Sequence, residues 1–497
     1  MLTATLRRDG SSLFERGHRW GTFPSAAVAW RVSEEPFWGA MAEVMNNLKF
    51  RAGYGIVGNA NLADSSYQPN FSNLASSFGT SYKTANMPNY GGLTWEKTDS
   101  WNVGVDMTFF DNRIEIIFDA FMKNTRDLLL QTAQPYYTGS SITGGTTPQW
   151  ANVGSMMNRG LELTVNAHVV DTRNFKWKTS LTGSLVENEI TGLNTATGFI
   201  DKTLSWSTWT ETVTRTATGY GVSQYYGYQV AGRINSAADF LRDNGDGTST
   251  VIAATPNYRV GTVVSNESAT ALKTSVGDLL YKDNNGDGLI DANDMAYLGN
   301  GLPKYTFGWN NTFTVKGFSL SMFFYGSIGN KVFNWTRRRM DEPSMIGGAA
   351  SNKFTRVNGY AKWCYHDGDP GNDNVWNVYV SPDSDPLIPR IDNQHGNFNS
   401  RVSDRYVEDA GYLRLKNIVL TYSFPKRMIK KLKLQKLAIT ANVQNIYTFT
   451  GYSGFDPEVG SQNGQYSMSG QGMLMYGVDT GKIPTPRSFV LGVELTF

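Results

Sequence analysis

The chain has 497 residues, of which only 18% are charged and 13% aromatic, and its 45 Lys and Arg against 43 Asp and Glu leave a formal charge of +2. That balance gives no electrostatic case for nucleic acid as a partner, and a single cysteine, Cys364, excludes an intramolecular disulfide framework and any cysteine-only metal site. No stretch reaches the roughly 18 apolar residues of a membrane-spanning helix, a test that does not bear on barrel strands, whose alternation is a weaker signal.

Fifty-one Gly and 25 Tyr suit β-structure with aromatic belts. No shift in composition divides the chain, so one large element with loops is expected. The first residues, Met1 to Arg8, contain no apolar signal segment. Either the protein stays inside the cell or its beginning is missing.

Taken in order, Arg7-Arg8-Asp9 reads as the end of a strand whose loop lasts to Trp20-Gly21. A strand follows from Phe23 to Val32, then a short helical connection over 35–47, a strand over 48–56, and a loop without periodicity over 59–90. Residues 101–123 form the clearest unit. Trp101, Val103, Val105, Met107 and Phe109 alternate with Asn102, Gly104, Asp106 and Thr108, and after Asp111-Asn112 the face Ile114, Ile116, Phe118, Ala120, Met122 alternates with Arg113, Glu115, Ile117, Asp119, Phe121 and Lys123. Each strand thus has one apolar and one mixed or polar face.

The pattern returns at 161–169, then at 175–190 after the tight return at Asp171 to Asn174. More than a hundred residues to Pro303 lack a long amphipathic strand. Strands follow over 303–315, 318–328, 412–424, 437–447 and 488–497, with a β-bulge predicted where the alternation changes phase at Lys416-Asn417. This makes about twelve strands whose connections alternate between long and short, as in an outer-membrane barrel with turns at one rim and loops at the other. The predicted fold is therefore all-β, a transmembrane antiparallel β-barrel.

Several segments resemble the barrel of SusC/RagA-like TonB-dependent outer-membrane transporters: Arg19-Trp20-Gly21-Thr22-Phe23-Pro24-Ser25, Gly92-Leu93-Thr94-Trp95-Glu96-Lys97-Thr98, Phe109-Phe110-Asp111-Asn112-Arg113-Ile114, Asn152 to Leu163, Tyr226-Gly227-Tyr228, Tyr412 to Ile418 and Phe455-Asp456-Pro457-Glu458. The resemblance covers essentially the whole chain. It implies that residues 1–497 are the C-terminal part of a twenty-two-stranded barrel, with large extracellular loops at 58–97, 191–303, 332–410 and 450–486. The signal peptide, TonB box, plug and roughly ten strands that the family carries in front are absent from this sequence, and Phe497 fits the family's terminal aromatic signal for insertion. It further implies localisation in the outer membrane and contact with its lipid. The partners implied are a SusD-like surface lipoprotein and TonB-ExbB-ExbD, reached through the missing front, with an oligosaccharide or peptide as substrate.

The sharpest chemical motif is 283–294. Asp283, Asn285, Asp287, Leu289 (through its carbonyl), Asp291 and Asp294 fall at positions one, three, five, seven, nine and twelve of an EF-hand-type loop, with Gly288 at the required glycine and Ile290 as apolar anchor. Oxygen ligands at this spacing suit a structural calcium ion. Asp294 is shorter than the usual glutamate and no clear pair of helices flanks the loop, so an Asx-rich turn without metal is the other reading. Asp243-Asn244-Gly245-Asp246-Gly247 lacks the spacing and reads as a turn.

Loop aromatics Trp206, Trp209, Tyr225, Tyr226, Tyr228, Trp335, Trp363 and Trp376 are candidates for stacking on substrate, against the plainer role of loop core. Arg337-Arg338-Arg339 reads as a solvated run or a site for lipopolysaccharide phosphate. The four histidines fall in no metal spacing, and no nucleophile elbow or triad pattern supports an enzyme. The expectation is TonB-dependent import of an oligomeric nutrient. The alternatives are a calcium-stabilised surface binding protein or adhesin of β-sandwich type, which would bury the apolar faces between sheets, and a closed passive porin.

Overall fold

The computed structural model describes residues 1–62, 70–76, 79–86, 92–132, 141–142, 145–146, 149–195, 197–206, 209–253, 274–343, 353–372, 374–391, 399–460 and 472–497. Its principal element is a twelve-stranded sheet in which every strand pairs antiparallel with its sequence neighbours in the sheet. We number these strands β1 (Leu2–Gly10), β2 (Trp20–Arg31), β3 (Met45–Asn59), β4 (Glu96–Phe109), β5 (Ile114–Thr132), β6 (Gln149–Asp171), β7 (Phe175–Leu193), β8 (Tyr305–Val315), β9 (Phe318–Ile328), β10 (Tyr412–Ser423), β11 (Lys436–Thr450) and β12 (Ser488–Thr496). Simple up-and-down order is what short hairpins impose, since a two-residue turn such as Lys316-Gly317 can only return the chain beside itself.

Side-chain alternation sorts the sheet into two faces. Cross-strand partners point the same way, so Val103, Ala120, Leu161, Leu185, Tyr305 and Ile328 form one continuous apolar row across β4 to β9. A second row, Leu320, Leu420, Ala441 and Leu491, continues it across β9 to β12. These side chains are not buried: Val103 is 56% exposed, Leu161 43%, Leu420 43% and Leu491 83%. Among the described residues no second sheet covers them. A band of exposed apolar side chains of this extent is the lipid face of a membrane barrel, and it discards the sandwich, whose apolar faces would be packed against each other.

Two polar residues on that face are satisfied locally. The indole Nε1 of Trp177 donates to Asn311 Oδ1 at 3.1 Å, and that of Trp309 donates to Thr179 Oγ1 at 2.9 Å. Polar groups facing hydrocarbon need such internal partners.

The rims differ as expected. Short turns close β4–β5, β6–β7 and β8–β9, and the 32–44 connection is built of two 3-10 turns, Val32–Glu34 and Pro36–Met41, where a helical connection is predicted. The long connections carry structure of their own. Residues 59–90, read from the sequence as an irregular loop, contain a paired hairpin of Asn70–Ser76 with Gly79–Asn86. β5 and β6 extend to Thr132 and from Gln149, well past the 101–123 and 161–169 units predicted. The connection from β7 to β8 holds a small four-stranded sheet. No helix among the described residues is long and apolar enough to cross a membrane.

Candidate functional site

The polar face of the sheet lines the lumen. Across β3 to β5, Arg51 holds Asp106 through Nε at 2.9 Å and Nη2 at 2.7 Å, and its Nη2 also reaches Asp119 Oδ2 at 3.0 Å. Asn166 Nδ2 donates to Glu115 Oε2 at 2.9 Å, Ser184 and Thr306 share a hydrogen bond at 2.6 Å, and Thr421 and Thr440 another at 3.0 Å. Strand after strand, inward positions carry groups that would be costly in lipid but are solvated or paired here.

Above this wall the described parts of the long loops pack into several clusters. The largest cluster joins Leu204, Val213, Tyr225, Phe333, Trp335, Tyr406 and Val478, drawn from three connections. Ion pairs tie the loops together: Arg337 to Asp341 at 2.9 Å and to Glu408 at 3.0 Å, Arg390 to Asp278 at 2.8 Å, and Arg338 to Glu211. Arg337 and Arg338 are therefore structural residues of the loop interior, Arg338 being 4% exposed, and the reading of this run as solvated or lipopolysaccharide-binding is corrected. The cause is the six-residue helix Trp335–Met340, which turns Arg338 inward over the Trp335 ring at 4.4 Å.

The last loop is pinned to the wall. Arg414 of β10, 4% exposed, donates from Nη2 to Asp456 Oδ1 at 2.5 Å and from Nη1 to Glu458 Oε2 at 3.0 Å. Burial pushes the Asp456 carboxyl up, but the Glu458 N–H and the Arg414 guanidinium outweigh it and leave Asp456 below its ordinary value. Both halves of this contact lie in segments prominent in the sequence, Tyr412 to Ile418 and Phe455 to Glu458. Their meeting could not be read there, because thirty-odd residues and a strand separate them.

The 283–294 loop has the turn chemistry of its motif. Asp283 accepts from Gly286 N at 2.6 Å and from Gly288 N at 2.8 Å, Asn285 from Asp287 N at 2.9 Å, and Asp287 from Leu289 N at 2.8 Å. Gly288 has φ +82, a conformation costly for any side chain with a Cβ. Amide donation, that of Gly288 first, holds the Asp283 carboxyl below its usual range. Asp291 caps a 3-10 turn through Asn293 N at 2.7 Å, and Asp294, fully buried, accepts from Asn284 N at 2.9 Å and Asp291 N at 2.8 Å. Ile290 packs with Leu279 and Tyr281. Among the described residues no three His, Cys, Asp or Glu side chains converge as a metal cluster. Asp243 and Asp246 cap a hairpin turn between 241–243 and 249–251.

The candidate stacking aromatics do not gather in one place. Tyr225, fully buried, and Trp335 lie in the largest loop cluster, and Tyr226 is 9% exposed beside Tyr297. Trp363 and Trp376 flank a second cluster, where their indoles donate to Val276 O at 2.8 Å and Ser249 Oγ at 3.0 Å. Tyr228 packs on Tyr281. Trp206 pairs with Trp209 in a hairpin, and their side chains lie outside the described residues. Packing of this kind gives the described six a role as loop core. Residues that the sequence reading missed are Tyr325, Tyr412, Arg414, Lys416 and Asn417, which face the lumen beside the last loop; the signal was the phase change at Lys416, where the register does shift between Leu415 and Asn417.

Residues 1–261 match the family model described as TonB dependent receptor-like, beta-barrel. The chain is 30% identical over its whole length to TonB-dependent receptor P39 of Formosa agariphila, of which it spans 45%, and 27% identical over its whole length to TonB-dependent receptor SusC of Bacteroides thetaiotaomicron, of which it spans 42%. Among solved structures it superposes on the RagAB peptide transporter with a TM-score of 0.71 at 20% identity, covering 100% of this chain and 46% of that one. It thus spans less than half the length of the relatives it matches. This chain belongs to the TonB-dependent receptor-like β-barrel family, as a SusC-like part of the barrel, and its place is the outer membrane.

Proposed function

We propose that the chain forms part of the wall and the external vestibule of an importer that moves an oligomeric nutrient, a glycan or a peptide, across the outer membrane. The observation that carries this reading is the pairing of a lipid-exposed apolar face with a charged, hydrogen-bonded lumen face under packed loops. Passive diffusion needs a wide aqueous mouth, whereas loops of this mass suit selective admission. The resemblance to SusC-like relatives supports energy supplied by TonB-ExbB-ExbD and a SusD-like lipoprotein over the loops at 58–97, 191–303, 332–410 and 450–486. The chain itself carries no chemistry.

The test is uptake. Source cells with and without this gene would receive fluorescent peptides and oligosaccharides, with the proton gradient intact or collapsed by an uncoupler. Accumulation that needs both the gene and the gradient is expected; accumulation indifferent to the gradient would make the protein a passive pore.

A structural calcium ion in the 283–294 loop is part of the same reading. What supports it is the spacing of Asp283, Asn285, Asp287, Leu289, Asp291 and Asp294, and the Gly288 amide bond to Asp283. These side chains and the Leu289 carbonyl would hold the ion through oxygen ligands. The ion would order the loop and take no part in transport.

A further inference from the structure

Between the lumen face of β9 to β11 and the last loop lies a cavity of about 720 Å³, lined among others by Tyr325, Tyr412, Lys416, Asn417 and Glu458. Three cations, Arg414, Lys416 and Lys482, meet two carboxylates, Asp456 and Glu458, so the site carries an excess of positive charge. Arg414 is spent on both carboxylates, and Lys482 Nζ donates to the Glu458 carbonyl. Lys416 differs. Its Nζ is 3.8 Å from Glu458 Oε1, beyond hydrogen-bond length, and donates to no acceptor among the described residues.

Two further features narrow the ligand. Asn417 Oδ1 is buried with no donor among the described residues, and a small rotation of its side chain toward the cavity would offer it to a ligand N–H or O–H. The aromatic rings offer little to a sugar: Lys416 Nζ stands 4.9 Å over the Tyr325 ring and Arg414 Cζ 5.3 Å over that of Tyr412, and the two rings are tilted at 57° with centroids 6.1 Å apart. A pyranose stacks on an open aromatic face, and here a cation covers one face of each ring. The β-bulge sets Lys416 and Asn417 side by side at the cavity. A free carboxylate with an N–H donor one carbon away matches this adjacent cation and acceptor, and that pair is the end of a peptide chain.

We propose that this cavity captures the C-terminal residue of an extended peptide, its carboxylate on Lys416 Nζ and its main-chain N–H on Asn417 Oδ1. The assignment rests on the import reading for the lumen as substrate path, and it names the substrate class.

The test uses the native outer-membrane protein in detergent, titrated calorimetrically with tetra-alanine, tetra-alanine amide and trigalacturonate. The free acid binds about tenfold or more tighter than the amide, as a charge-assisted bond requires. Lys416→Met abolishes that difference without shifting the melting temperature, Lys416→Arg restores it, and Asn417→Leu weakens both peptides. Equal binding of acid and amide, a difference that survives Lys416→Met, or tighter binding of trigalacturonate would overturn the assignment. Peptide bound but not accumulated by cells would overturn the import reading alone; import without this binding would overturn the subsite alone.

Discussion

Arg51 on β3 and Asp119 on β5 are joined across an intervening strand, Nη2 to Oδ2 at 3.0 Å, and the guanidinium passes directly over Gly104 of β4. Strands lie about 4.8 Å apart, so only a long side chain over an unsubstituted Cα makes this reach. A Cβ on residue 104 would stand 2.3 Å from Asp119 Oδ1 and 2.7 Å from Arg51 Nη2. Gly104→Val should therefore displace the network and cost about 1–3 kcal/mol. The check is the denaturant midpoint of the native protein in micelles; an unchanged midpoint would show that the bridge contributes nothing.

Position on the sheet decides what a charge costs. Leu163, 41% exposed on the lipid face, and Thr164, its neighbour on the lumen face, are one residue apart. Leu163→Arg should cost about 2–4 kcal/mol near the bilayer centre, and Thr164→Arg much less. Assembled protein in the outer-membrane fraction, compared for the two variants, reads this directly. Equal losses would mean that the faces are not lipid and water.

The strands of the main sheet were legible in the sequence because a lipid boundary keeps most outward positions apolar, as from Trp101 to Phe109. The bulge at Lys416-Asn417 was legible for the same reason. The hairpin of Asn70–Ser76 and Gly79–Asn86 was not, since its two strands, rich in Asn, Ser and Thr, carry no hydrophobic period. Nor was the role of Arg338 or Tyr225, whose burial depends on which loops meet, a long-range property that local pattern does not carry. Trp335 and Trp363 were candidates for stacking on substrate against the plainer role of loop core, and in the folded loops Trp335 is part of one cluster and Trp363 packs against another.

The Arg414–Asp456 contact should hold the last loop against proteolysis. With both side chains 4% exposed, Arg414→Met leaves a buried carboxylate without its cation, at a cost of about 3–5 kcal/mol. Limited proteolysis between 451 and 487 should rise sharply. The pH dependence has a fixed sign. Asp456 titrates lower when folded than when free, so its contribution is complete well above the ordinary carboxylate value of 3.8, declines as pH falls through that value, and is lost below the folded pKa. Protection should be flat from neutral pH to about 5 and fall only in stronger acid. Loss of protection already at pH 6 would assign the clamp to another group.

Calcium should bind to the native protein with about 1:1 stoichiometry and, as in extracellular modules, a dissociation constant up to the millimolar range. Asp283→Asn with Asp287→Asn should abolish the heat of binding while the barrel remains folded. No calcium heat in the unaltered protein would leave 283–294 as an Asx-rich turn stabilised by its own amides.

The most direct test of the central claim is a cysteine scan of residues 161–168 on β6 in outer membranes, with Cys364 replaced by Ser, reading spin-label accessibility to oxygen and to a water-soluble nickel chelate. Strict alternation is expected, with oxygen reaching labels at 161, 163, 165 and 167 and nickel reaching those at 162, 164, 166 and 168. Nickel access at all eight positions, or shielding of the odd positions from both reagents as in a packed sandwich, would contradict it.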